Sequence, residues 1–324
     1  MDEFIIMLRN VLLFVALAIP GYLLVKCKML KPEQSGVLSK ILMYLAMPFL
    51  IFSGVVKNLN FDKDTLLMMG IVALIGIVYI FVMFFASAPL VAMEKDKKTA
   101  GMMRFCAVFA NNGFLGLPLA AAVFGAESTV FAILILLNII NNVLMYTLGA
   151  YLTTGDKKNI NFKKAFFNPV LIAFIVGCAF NLLNVQFNIS ENVPEIIKFS
   201  DNFYNIVTPI SMTIIGIKLG TVKWSALFKS GKLYYVSLLK LVVFPVAITA
   251  LLIALKSISL DIDMQSVILA VFVAFSMPTA GLAATFADEF GGDSNNAVIF
   301  TLGTTVLSVA TIPTIYWLVN ILIK

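Results

Sequence analysis

Along most of this chain apolar residues run on without interruption, and polar residues gather in short punctuating clusters between the runs. A helix needs about 20 predominantly apolar residues to cross a bilayer. On that measure the pattern predicts ten segments, roughly 4–25, 37–56, 65–92, 99–124, 128–152, 167–185, 197–220, 232–255, 264–287 and 296–322. The connections are short and leave no room for an independent soluble domain, so the expectation is one membrane-embedded, all-α polytopic unit. The first run begins acidic and has no small-x-small site after it, so it is read as a span rather than a cleavable leader.

Two of the ten runs are broken where a break is most costly. Segment four carries "FANNGFLGLP" at its middle, with Asn111, Asn112, Gly113, Gly116 and Pro118. Segment nine carries "SMPTAG", with Pro278, Thr279 and Gly281. Ten segments divide into five and five, and an odd number of spans makes the second half run inverted relative to the first. Segments four and nine then correspond. So do segments two and seven, each with a proline (Pro48, Pro209) followed by a glycine (Gly54, Gly216). Paired interruptions in matching segments of two halves point to a transporter binding site.

Physical chemistry says how such breaks survive. Pro118 lacks an N–H and clashes with the preceding turn, which predicts that segment four opens there. Gly113 and Gly116 permit extended backbone. Freed backbone groups cost several kcal/mol each in hydrocarbon unless partnered. A second broken helix crossing the first would supply partners, with Asn111 and Asn112 supplying more and Thr279 capping the second half of segment nine. Each half-helix N-terminus there carries about half a positive charge, which suits an anion. The expected substrate site is therefore Asn111, Asn112, Gly113, Pro118, Pro278 and Thr279. Asn138 and Asn142, four apart on one face of segment five, are either packing contacts or part of the lining. Thr301, Thr304, Thr305 and Ser308 are expected to bond within their own helix.

Composition agrees with the pattern: 61% hydrophobic, 12% charged, mean hydropathy +1.00. Those values lie far outside the range of soluble domains. Histidine is absent and the 3 cysteines are scattered. Neither a metal site nor a disulfide framework is expected, and no cofactor. Every Asp and Glu falls in a loop or at a segment end; Asp288, Glu289 and Asp293 are read as a solvated helix end. No buried proton relay or catalytic pair is visible, so an enzyme is not expected. The net charge of +6 is a topology signal rather than a nucleic-acid patch. Lys26, Lys28, Lys31, Lys95, Lys97, Lys98, Arg104, Lys157, Lys158, Lys163, Lys164, Lys223, Lys229 and Lys232 all fall at odd-numbered loops. The even loops and termini hold only Lys57, Lys63, Lys198, Lys256 and Lys324. The positive-inside rule then places both termini outside the cell membrane. Arg9, Lys40, Lys218 and Lys240 lie within segments and are expected to snorkel.

With those residues in view, "NNGFLGLPLA" resembles the fourth-helix crossover of the auxin efflux carrier family. "MPTAGLAATFADEF" with the following "AVIF" resembles that family's ninth-helix crossover. The resemblance covers the whole chain in helix count. It implies ten transmembrane helices as two inverted five-helix repeats (1–154 and 155–324) with helices four and nine crossed. It further implies a homodimer, a scaffold of helices 1, 2, 6 and 7, and a moving transport domain of helices 3–5 and 8–10. By resemblance Asn111, Pro118 and Pro278 are substrate-site residues. The short central loop "TTGDKKNINFKKAF" is closer to bacterial members, which carry malate and other organic anions, than to the plant exporters. The expected partners are a small organic anion and membrane lipids. The rival expectation is a sodium- or proton-coupled organic acid symporter of the bile-acid-symporter type.

Overall fold

The computed structural model describes residues 2–59, 61–187, 189–256 and 262–323. Among them the chain is helical, and its only extended pairing is one isolated bridge. The helices that matter here are α1 (Phe4–Lys26), α2 (Ser35–Asn58) and α3 (Lys63–Leu90). The broken segment four follows as α4 (Lys97–Val108) and α5 (Asn112–Phe124). Next come α6 (Thr129–Thr154), α7 (Pro169–Phe187), α8 (Pro194–Thr221) and α9 (Gly231–Leu255). Segment nine is α10 (Met264–Ser276) and α11 (Ala283–Phe290), and α12 (Ser294–Ile323) closes the chain. Among the described residues eight helices are long and apolar enough to span a membrane, and segments four and nine are each two shorter pieces.

Local chemistry sets the ends. Asp62, Asp96, Ser128 and Asp263 each accept a backbone N–H from the first turn of the helix that follows. Gly125 and Gly291 stop α5 and α11 with positive φ, where only glycine is unstrained. Pro48 does not break its helix, whereas segment seven is interrupted at Ile206, three residues before Pro209. Pro48 lies in the first turn after a π-helical turn at Leu42–Ala46, and Pro209 in the first turn after Ile206, positions where a missing N–H loses no bond.

Large apolar side chains cover the outside: Leu74 is 63% exposed and Phe85 66%. A surface of that kind suits lipid rather than water. The interior is built by small residues as well as by large ones. A Cβ on Gly216 would stand 1.9 Å from the Ala18 carbonyl oxygen, and one on Gly21 would stand 2.2 Å from that of Thr213. The backbones of α1 and α8 therefore touch, the close approach that small residues allow between membrane helices.

Packing partners recur across the two halves. α1 packs on α8 and α7 on α2; α3 packs on α6 and α9 on α12. α4 packs on α12 and α10 on α6; α5 packs on α6 and α11 on α12. The loops grouped by their basic charge also lie together. Lys164 pairs with Glu289, Lys232 with Glu94 at 2.6 Å, and Thr99 with Asp293 at 2.6 Å. At the opposite end Lys57 pairs with Asp201 at 2.9 Å, and Lys256 donates to the Ile323 carbonyl at 2.7 Å.

Candidate functional site

α4 ends at Val108, and the backbone then runs extended through Phe109 and Ala110. α10 ends at Ser276, and Met277 is likewise extended (φ −62°, ψ 147°). The two stretches cross as an antiparallel bridge between Ala110 and Thr279. Asn111 N–H donates to the Pro278 carbonyl at 2.8 Å, and Ala280 N–H to the Phe109 carbonyl at 3.0 Å. Each broken helix thus supplies hydrogen-bond partners to the other, as unsatisfied backbone in hydrocarbon requires.

The outer edges of the bridge are also met, though not by the residues expected. Asn141 from α6 accepts from Ala110 N–H at 3.2 Å and donates to the Ala110 carbonyl at 3.1 Å, acting like a third strand. Thr279 N–H donates to the Thr304 hydroxyl at 3.1 Å. The Thr279 hydroxyl donates to the Cys106 carbonyl at 2.9 Å, so it does not cap α11, whose N-cap residue is Leu282. Asn111 and Asn112 hold no freed backbone groups with their side chains. Asn112 is 0% exposed and neither of its amide atoms has a partner among the described residues.

The opening also lies earlier than Pro118. It falls at Phe109–Ala110, and a π-helical turn at Asn112–Gly116 leads into the helix Leu117–Phe124, where Pro118 is in the first turn. The wider turn carries Gly116 N–H to the Asn111 carbonyl at 3.1 Å, restarting the helix before the proline is reached. Neither Gly113 nor Gly116 has positive φ. What they provide is space: a Cβ on Gly113 would lie 3.2 Å from Met47 Cε, and one on Gly116 3.1 Å from Met277 Cγ, so either methionine would have to shift.

A cavity of about 40 Å³ lies against the crossing, with Asn111, Asn138, Asn141, Asn142 and Asn168 in its wall. Gly113 and Gly281 border it too, with Met43, Met47 and Met145 as its apolar part. A water needs roughly 10–15 Å³ of such space, so the chamber takes a few waters. Asn142 donates to the Asn138 carbonyl at 2.8 Å and its Oδ1 at 3.0 Å, and Asn138 Nδ2 is left without a partner. The walls offer neutral amides of both polarities beside helix ends. Of the residues expected from sequence, Asn111, Gly113, Asn138 and Asn142 border this cavity. Asn112, Pro118, Pro278 and Thr279 lie in the crossing but outside its lining.

Sequence reasoning missed Asn141 and Asn168; Thr304 donates within its own helix as expected, to the Phe300 carbonyl at 2.7 Å, but its bond from Thr279 N–H was not foreseen. Asn141 was legible in "LLNIINN", three residues from Asn138, but a four-residue spacing draws attention to Asn142 instead. The snorkelling expectation fits Arg9 and Lys40, which are exposed. It fails for Lys240, which is 0% exposed in a π-helical turn of α9 and donates to the Val108 carbonyl at 3.4 Å. That carbonyl is the last of α4, where a cation is favoured. Lys218 does not reach the surface freely either; its Nζ donates to the Gly281 carbonyl at 3.2 Å.

The acidic end of segment nine holds no shared ligand set. Glu289 pairs with Lys164, Asp288 accepts from Ser294, and Asp293 accepts from Thr99 and Asn296. Burial pushes the Asp293 carboxyl up, but the bonds from Thr99 and Asn296 outweigh it and hold the group below the usual carboxylate range. Among the described residues no cluster of three or more Cys, Asp or Glu could hold a metal ion.

Residues 5–316 match the model of a family described as membrane transport protein. An uncharacterized transporter of Methanothermobacter thermautotrophicus is 26% identical over 311 residues, covering 94% of this chain and 96% of the relative. An uncharacterized transporter of Methanocaldococcus jannaschii is 27% identical over 214 residues, covering 64% of this chain and 68% of the relative.

Proposed function

We propose that this chain, which belongs to the membrane transport protein family of the auxin efflux carriers, is a secondary carrier for small organic anions such as carboxylates. The observation that carries the reading is the crossing of two broken membrane segments beside an asparagine-walled cavity. Neutral amides can hold a carboxylate by donation without placing a fixed charge in the membrane, which keeps the cost of moving the site low. In this reading Asn111, Asn138 and Asn142 contact the substrate, and Asn112, Gly113, Pro118, Pro278 and Thr279 shape the crossing around it.

The recurring packing partners support two inverted five-helix repeats, 1–154 and 155–324. The contacts α3–α6 and α5–α6 of the first half have counterparts in α9–α12 and α11–α12 of the second, and α1–α8 and α4–α12 between the halves are matched by α7–α2 and α10–α6. They also support a division into a scaffold (α1, α2, α7, α8) and a transport unit (α3–α6, α9–α12), paired through the scaffold as a homodimer. Transport then proceeds as an elevator, the crossing changing depth against α2 and α8. The protein sits in the cell membrane with both termini outside. A monoanion leaving down a potential of 100 mV, inside negative, gains about 2.3 kcal/mol, enough to drive export without a coupling ion.

One observation favours a second reading, a cation-coupled symporter of the bile-acid type. The Asn112 amide oxygen is buried at the crossing without a partner and could serve a sodium ion. Uptake of radiolabelled malate and monocarboxylates into proteoliposomes, with and without sodium, separates the two. For the carrier reading, Asn111→Ala removes transport while the protein stays folded and elutes as wild type. Transport unchanged by Asn111→Ala rejects this site, and strict sodium dependence rejects the uncoupled mechanism.

A further inference from the structure

A second cavity, of about 160 Å³, touches the crossing at Gly281, which is in the wall of both. It lies between α8 and the α11–α12 pair, with Ser35 and Thr221 at its border. Three features of its wall share one chemistry. Lys218 reaches in from α8, and among the described residues the acceptor of its ammonium is the neutral Gly281 carbonyl, at 3.2 Å. α11 starts here, with Ala284 in the wall; Ala283 N–H donates to the Ala280 carbonyl at 3.0 Å, but the N-cap Leu282 offers no side-chain acceptor to the N–H groups of Ala284 and Thr285 that follow. Thr301 from α12 is 7% exposed and its hydroxyl has no partner among the described residues, whereas Thr305 one turn on donates to its own helix at 2.7 Å.

An ammonium, an uncapped helix N-terminus and an unsatisfied hydroxyl all donate; such a set is matched by an oxyanion and repels a cation. The volume suits a carboxylate or phosphate head, being below the roughly 300 Å³ at which drug-sized sites begin. We propose that this chamber is a second anion site, in which a small oxyanion displaces the Gly281 carbonyl from Lys218 and accepts from Thr301 and the first turn of α11. Where the oxyanion is the carboxylate of a carried acid, the assignment rests on the carrier reading above. Lys218 belongs to the scaffold half and Thr301 and α11 to the transport half, so the site is complete at one relative depth of the two. It then serves as a loading or release station at one end of the stroke.

The test is anion binding to the purified full-length protein, by thermal-shift titration at constant ionic strength with acetate, malonate, malate and inorganic phosphate. Wild type should be stabilised by at least one of these. Lys218→Gln should weaken that binding tenfold or more, Thr301→Val a few-fold, and Lys218→Arg should keep it within a few-fold. All variants should elute as wild type in its absence; retained binding in Lys218→Arg separates lost charge from lost structure. No stabilisation by any of the four anions overturns the proposal. So does a Lys218→Gln protein that binds as wild type. Carboxylate binding lost in Asn111→Ala but intact in Lys218→Gln leaves the carrier reading standing and removes this site. Phosphate binding lost in Lys218→Gln, without carboxylate transport in wild type, leaves this site standing and removes the carrier reading.

Discussion

Asn141→Ala tests whether the crossing is held as described. Asn141 is 2% exposed and bonds both the N–H and the carbonyl of Ala110, at 3.2 and 3.1 Å. Truncation leaves one buried donor and one buried acceptor without partners. Such groups cost about 1–3 kcal/mol each. Interhelical hydrogen bonds in membranes average only about 0.6 kcal/mol, because unfolded side chains in the bilayer find other partners. Ala110 is different, since its orphaned groups are extended backbone at the centre of the fold and no helix of their own can take them. The expected loss is therefore nearer 2–4 kcal/mol by the cost of unsatisfied groups. Asn142→Ala is the matched control: its bonds run to Asn138 within the same helix, and its loss strands no backbone at the crossing. Thermal unfolding of the detergent-solubilised protein, read by the fraction that stays monodisperse, should fall by about 5–10 °C for Asn141→Ala. The control should fall by far less. Equal melting of the two variants, or an Asn141→Ala protein as stable as wild type, would refute the account of how the broken helices are held.

Two further outcomes follow from other parts of the fold. Gly216→Val should abolish stable expression, because its Cβ would stand 1.9 Å from the Ala18 carbonyl oxygen, while Gly36→Ala, with nothing within 4 Å, should be neutral. A well-folded Gly216→Val protein would mean that α1 and α8 do not touch through their backbones. Single cysteines at 127 and 158 in a cysteine-free background should be labelled from outside sealed cells at 127 only. Strong labelling at 158 would reverse the proposed orientation.

The membrane class, the segments and the two breaks were all legible in the chain, because a run of apolar residues must lie in lipid wherever its neighbours are. Which connections share an end was legible for a similar reason: successive spans alternate direction, and the pairs Lys164–Glu289 and Lys57–Asp201 join connections of like parity. The tertiary structure alone decided who satisfies the freed backbone. Asn111 and Asn112 stand in the break itself, yet Asn141 and Thr304 hold it from neighbouring helices, because a side chain within the break points away from the groups its own backbone frees. Lys218 and Lys240 show the same limit. Sequence places both within reach of the interface, but whether a lysine snorkels depends on what its helix packs against. Here one donates to the Gly281 carbonyl and the other to Val108, both at the ends of broken helices that no local pattern brings near them.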